Sequence, residues 1–116
     1  MAVSDSYLSF VLEQLEAIPN VSSRRMFGGV GLYAREHFFG LIDNDRLYLK
    51  VDDRNVGDYT AARMEPFRPD PRAAASMKYY EVPVSVLEDR DQLATWARKS
   101  IAVAAASKKP SSRAKK

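Results

Sequence analysis

The chain contains no cysteine, so it has no disulfide framework, no thiolate metal site and no cysteine nucleophile. Histidine is almost as scarce: His37 stands alone, which excludes a multi-histidine metal site. Long apolar runs are missing too, since the best candidate, Ile101 to Ala106, falls far short of the ~20 residues that span a bilayer. Met1 to Asn20 carries acids where a secretory leader would carry a basic stretch before an apolar core. These absences point to a cytoplasmic protein that uses no membrane, metal or cofactor.

What is present suits one domain. The 116 residues can bury a single core, and 46% hydrophobic with 28% charged residues is the ordinary composition of a soluble globular protein. The net charge of +3 invites a nucleic-acid reading, but its location argues against a broad cationic platform. Lys108, Lys109, Arg113, Lys115 and Lys116 lie in a terminal stretch with no acid. That leaves 13 basic residues against 15 acidic ones in the body, a net charge of −2. Residues 107–116 hold Pro110, three serines and no large apolar side chain, so they are expected to form a disordered basic tail. The tail serves either as a solubilising end or as an electrostatic arm that neutralises phosphates.

Within residues 1–106, Ser4 or Asp5 can cap a helix in which Leu8, Val11, Leu12 and Leu15 recur at helical spacing. Pro19-Asn20 ends it. Val21 to Val51 then reads as three or four strands separated by short polar turns at Arg35-Glu36 and Asp43-Asn44-Asp45. Leu47, Leu49 and Val51 alternate with Tyr48 and Lys50, the pattern of a sheet with one buried and one wet face. Loops this short require antiparallel pairing. Asp53 to Met64 reads as a second helix, Glu65 to Ala75 as an irregular connection rich in proline, and Met77 to Val82 as a further strand closed by Pro83. Asp89 with Gln92 resembles a capping box, and Leu93, Trp96, Ala97, Ile101 and Ala104 place a last helix from Asp89 or Arg90 to about Ala105. The fold class is α+β: a two-layer domain, mainly antiparallel, with helices on one sheet face in the order α-β(3-4)-α-β(1-2)-α.

The stretch Arg24-Arg-Met-Phe-Gly-Gly-Val-Gly31 puts three glycines into a strand-forming run, which signals a turn, a bulge or a close backbone approach. A phosphate-cradling loop would need a helix after the glycines, and here a strand is expected instead. Arg24 and Arg25 are neighbours on a strand and therefore point to opposite faces. Asp43, Asp45, Asp52 and Asp53 lack the glycine and terminal glutamate of a calcium loop and read as turn formers. His37 has no serine, cysteine or paired carboxylate arranged around it. Lys78-Tyr79-Tyr80 suggests an aromatic and basic patch for single-stranded nucleic acid, yet alternation sets Tyr79 and Tyr80 on opposite faces, so one of them belongs to the core.

Five short motifs carry a resemblance. Arg25-Met-Phe-Gly-Gly-Val-Gly-Leu-Tyr33, Phe38-Phe-Gly-Leu-Ile42, Leu47-Tyr-Leu-Lys-Val-Asp52, Met64-Glu-Pro-Phe67 and Tyr79-Tyr-Glu-Val-Pro83 follow in an order and spacing similar to the TfoX N-terminal domain. The similarity runs from the first helix to about Ala105. It implies the two-layer α+β arrangement and marks Arg25, Met26, Phe27, Gly28, Gly29 and Gly31 as structural motif residues. It transfers no catalytic or cofactor residue, so no enzyme is expected. Proteins of the TfoX or Sxy type regulate natural competence in bacteria, acting with the cyclic-AMP receptor protein, and continue into a second, helical domain where this sequence has only the basic tail. The resemblance thus implies a regulatory or interaction module, monomeric or homodimeric, that acts through protein partners and transcription machinery. The uncovered sheet face, or an edge strand, is where a partner would dock. A nucleic-acid-binding protein using Lys108, Lys109, Arg113, Lys115 and Lys116 is the alternative.

Overall fold

The computed structural model of the chain describes residues 3–26, 28–69, 72 and 74–113. Helix α1 (Asp5–Gln14) begins at Ser4, whose hydroxyl accepts the Tyr7 N–H at 3.2 Å. Its apolar stripe faces inward as the spacing predicts: Val11 and Leu15 are buried, with Leu8 and Leu12 packed beside them. Asn20, in the left-handed region at φ 64°, then turns the chain into the sheet.

Four strands follow in succession, β1 (Val21–Met26), β2 (Gly29–Ala34), β3 (His37–Asp43) and β4 (Arg46–Lys50), each antiparallel to the one before. The β3–β4 turn holds Asn44 and Asp45 both at φ 54°, the paired positive angles of a type I′ hairpin. Two later strands, β5 (Pro66–Phe67) and β6 (Ser76–Glu81), complete a six-stranded sheet in the order β1-β2-β3-β4-β6-β5. All pairings are antiparallel. The alternation read from the sequence sorts the two faces. Val30, Leu32, Ile42, Leu47, Leu49 and Tyr80 are buried on one face. The intervening Tyr33, Leu41, Tyr48 and Tyr79 are only half-buried on the other.

The buried face is covered by α2 (Val56–Ala61), α3 (Val84–Leu87) and α4 (Arg90–Arg113), with α4 lying over β3 and β4 and against α1. Leu93, Ala97 and Ala104 of α4 enter the core. Each large aliphatic side chain so buried contributes about 1.5–3 kcal/mol, against about 1 kcal/mol for a helix cap. The apolar stripes therefore decide the fold. No helix among the described residues is long and apolar enough to cross a membrane.

The buried polar side chains are spent on joining elements. Ser100 Oγ donates to the Lys50 carbonyl at 2.7 Å and Asn55 Nδ2 donates to the same oxygen at 3.1 Å, tying α4 and the α2 entry to the end of β4. Gln14 Nε2 donates to the Leu87 carbonyl at 2.9 Å while its Oε1 accepts from Arg90 Nε at 3.1 Å, which fastens α1 to α3 and α4. Asp45 closes the other end: its carboxylate accepts the Ser4 N–H at 2.9 Å and the Ser4 hydroxyl at 3.1 Å.

Four boundaries differ from the sequence reading, each for a local reason. The helix expected over Asp53 to Met64 spans only Val56–Ala61, because Asp52 accepts the Arg54 N–H and Asn55 bonds back to Lys50 and Asp52, locking a turn. Arg63, at φ 63°, ends it early. The connection over Glu65 to Ala75 contains β5, which is too short for periodicity to reveal. Val84–Leu87, just after Pro83, forms the single-turn α3. The last helix extends past Ala105 to Arg113, carried by a run of alanines with high helix propensity. The boundary drawn between body and tail at Ala106 thus falls within α4, and residues 114–116 lie outside the described residues. Asp89 caps α4 as expected, accepting the Gln92 N–H at 3.2 Å, but Gln92 Nε2 returns to the Asp89 carboxylate at 3.0 Å rather than to its backbone. Those bonds hold the Asp89 carboxyl below the usual range.

Two buried polar atoms among the described residues have no partner, His37 Nδ1 and the Tyr59 hydroxyl. The Tyr59 ring is sandwiched by Trp96 at 4.6 Å and Tyr80 at 6.0 Å, and its hydroxyl is buried with no hydrogen-bond partner. Burial pushes its pKa up strongly; the nearby Ser100 hydroxyl, which gives its own proton to the Lys50 carbonyl, opposes this. A buried hydroxyl without a partner costs about 1–3 kcal/mol. Tyr59→Phe is therefore expected to keep or raise the melting temperature in a thermal unfolding scan followed by Trp96 fluorescence, and a clear drop would contradict this account of the hydroxyl.

Candidate functional site

The glycine stretch is a hairpin. Strands β1 and β2 pair as far as Met26 with Gly29, and Gly28 sits in the connection at φ 81°, where only glycine is unstrained. Phe27 lies outside the described residues. A Cβ on Gly29 would stand 2.6 Å from the Ile42 carbonyl oxygen, so this glycine lets β3 approach. A Cβ on Gly31 would stand 2.8 Å from Met26 Cε and 2.9 Å from Phe38 Cε1. Those two side chains lie over Gly31 because it has none of its own. After the glycines comes strand β2, not a helix N-terminus.

The two arginines before the hairpin take opposite faces. Arg25 turns to the helix side, where Nη2 meets Asp5 Oδ1 at 2.8 Å. Arg24 turns to the uncovered face and lies over the Tyr33 ring, 5.5 Å from its centroid. A continuous row starts there. Tyr33 and Phe38 have ring centroids 5.2 Å apart, and Phe38 and Tyr79 are 5.8 Å apart. At the far end Lys50 Nζ sits 5.1 Å from the Tyr79 centroid and 3.4 Å from its hydroxyl. The row thus crosses the sheet from the β1 edge to β6, an aromatic strip with a cation at each end.

Beside it, Tyr48 meets Phe67 edge-on at 4.9 Å. A groove of about 430 Å³ runs between Phe67 and the glycine hairpin, lined by Met26, Phe38, Leu41, Phe67 and Pro69 with Asp43 at its rim. Phe38 belongs to both row and groove, so the two form one surface. Partial burial raises the Tyr79 pKa, helped by Tyr33 close by. Burial also lowers the Lys50 pKa, and the positive charge of Lys78 adds to the effect. Burial raises Tyr48 likewise, with the Glu81 charge second.

Ion pairs account for some of the cations and not others. Arg25, Arg46, Arg54, Arg90 and Lys99 each reach a carboxylate, at 2.8, 3.5, 2.6, 3.3 and 2.9 Å respectively. Arg24 and Lys50 have no such partner among the described residues, nor have Arg35, Arg63, Lys78 and Arg98 elsewhere. Arg24 and Lys50 thus stand without a carboxylate at the two ends of the aromatic row.

The other sequence candidates are structural in their contacts. Asp45 binds Ser4, and Asp52 binds Arg54 at 2.6 Å, the bond that holds the Asp52 carboxyl below its ordinary range. Among the described residues no group of three His, Cys, Asp or Glu could hold a metal ion. His37 lines a second hollow with Ile18, Ala34, Arg98 and Ile101, and its Nδ1 is buried without a partner. Neither a carboxylate nor a hydroxyl lines that hollow, so it offers no acid–base pair. Tyr80 is the core tyrosine and Tyr79 the outward one, as alternation requires. Lys108, Lys109 and Arg113 fall on the last turns of α4, while Lys115 and Lys116 lie outside the described residues. Sequence reading did not assemble Arg24, Tyr33, Phe38, Lys50 and Tyr79. The signal was available in the period-two parity of each strand, but the strand order that joins them was not.

The family model of the TfoX N-terminal domain matches residues 13–104, which takes in every strand of the sheet. No curated protein matches the chain.

The glycine geometry sets a test. Gly29→Ala forces a backbone strand to move and is expected to cost about 1–3 kcal/mol, as overpacking does. Gly31→Ala meets only the ends of Met26 and Phe38, which can swing aside, and costs less. Urea midpoints of the two variants check the order; equal losses would contradict it.

Proposed function

The chain belongs to the TfoX N-terminal domain family, and from that membership we propose that it is a small non-enzymatic regulatory module, cytoplasmic, that acts in transcription regulation by binding a protein partner through the uncovered face of its sheet. Natural competence, which regulators of the TfoX type control, is the first process in which to seek that role.

The observation that carries this reading is the uncovered face itself. Half-buried Tyr33, Phe38, Tyr48, Phe67 and Tyr79 cluster there beside an apolar groove and unpaired cations. Aromatic and arginine side chains are the types that dominate binding energy in protein interfaces. The hollow at His37 offers no comparable chemistry. Acting through surface alone also fits a site residue set without nucleophile or paired carboxylates.

Pull-down from a nuclease-treated extract of the native cell tests the proposal. The full chain is expected to recover a defined protein, identified by mass spectrometry, that is lost with Tyr33→Ala/Phe38→Ala and retained with Thr95→Ala on α4. A partner kept by the double variant, or recovery of nucleic acid alone from untreated extract, would overturn the reading.

A further inference from the structure

We infer that the partner segment recognised by this face is acidic and apolar: a stretch of protein chain whose carboxylates reach Arg24 at one end of the aromatic row and Lys50 at the other, and whose apolar side chain enters the groove at Phe38. This deepens the proposed function and rests on it.

Three features of the face select that chemistry. The first is charge. On this face Arg46 is already paired with Glu81, whereas Arg24 and Lys50, at the two ends of the row, have no carboxylate among the described residues. Lys50 is also half-buried beside Lys78, so two cations repel each other in a partly dry setting. A carboxylate brought to Lys50 from the uncovered face offsets that repulsion, and electrostatic complementarity of this kind sets which partner is accepted and how fast it docks.

The second feature is the shape of the apolar part. The groove between the glycine hairpin and Phe67 is lined by Met26, Leu41, Phe67 and Pro69, and Phe38 links it to the row. Such a cleft takes an aliphatic or aromatic anchor of a peptide, the mode by which grooves read short segments. Methionine at its edge adapts to differing anchors.

The third feature decides between protein and single-stranded nucleic acid. Bases need free aromatic faces on which to stack. Here Arg24 lies over Tyr33, Lys50 lies over Tyr79, and Phe38 is held between the two in tilted contacts of 45° and 55°. One face of Tyr33 and one of Tyr79 is thus taken by a cation, and Phe38 is hemmed in by both rings. A carboxylate does not need the rings; it needs the outward edges of the cations above them.

A second copy of the chain is not the occupant. Its own face would set Arg24 and Lys50 against like charges. The exposed β1 edge carries Arg24 and Arg25 side by side, the device by which edge strands discourage pairing with another chain.

The probe is a random 12-residue peptide library displayed on phage and selected on the full chain. Enriched peptides are expected to carry two or more Asp or Glu residues around an apolar anchor. A fluorescein-labelled enriched peptide is expected to bind at least tenfold more weakly to Arg24→Glu/Lys50→Glu, to weaken as salt rises, and to bind Arg24→Gln with an intermediate affinity. Circular dichroism and Trp96 fluorescence confirm that each variant is folded, and the glutamine variant serves if the double charge reversal is not. Four outcomes overturn the inference: no enrichment, enrichment without acids, equal binding to the charge-reversed chain, or a fluorescein-labelled dT12 oligonucleotide that binds the wild type and loses affinity with Tyr33→Ala/Phe38→Ala. Failure here alongside a face-dependent protein in the extract pull-down rejects the acidic segment but leaves the regulatory module standing. Loss of that protein as well rejects both.

Discussion

The rest of this molecule depends on one constraint: a single antiparallel sheet has two faces, and the chain supplies helices for only one. α4 lays Leu93, Ala97 and Ala104 against the face of β3 and β4 that carries Ile42, Leu47 and Leu49. Because side chains alternate along a strand, committing that set to the core commits the intervening set to the other side. Tyr33, Tyr48, Lys50 and Tyr79 are outward for that reason. The uncovered aromatic face is thus a necessary product of how the core is made.

The second consequence concerns glycine. Close packing within the sheet requires β3 to approach the β1–β2 hairpin, and Gly29 permits it at the Ile42 carbonyl. Gly31, on the uncovered face, leaves room for Met26 and Phe38 to lie flat over the backbone. The same eight-residue stretch therefore serves the fold through one glycine and shapes the groove through another. Arg24 and Arg25 divide in the same manner, one capping the aromatic row and the other anchoring α1 through Asp5.

Much of the fold was legible in the sequence because it rests on local rules. Period two exposed β2, β3 and β4, the stripe of Leu8, Val11, Leu12 and Leu15 exposed α1, and Asp89 marked the start of α4. What escaped notice was set by particular side-chain and strand contacts that periodicity does not reveal. Asn55 reaches back to Lys50 and shortens α2; β5 exists only because β6 pairs with it. The site was legible in part. Parity separated Tyr79 from Tyr80 and Arg24 from Arg25, but joining Arg24, Tyr33, Phe38, Tyr79 and Lys50 required the order β1-β2-β3-β4-β6, which no local pattern encodes.

The absence of native cysteine makes the central claim directly measurable, because a single introduced thiol carries a photo-crosslinker to one chosen spot. Ser22 is exposed on β1 opposite Tyr33, on the uncovered face, and Glu13 is exposed on α1, away from it. With benzophenone on Ser22→Cys or on Glu13→Cys, irradiation in native extract is predicted to trap the same protein partner from position 22 and not from position 13. Crosslinking from position 13 alone would place the partner on the helical side and contradict the account.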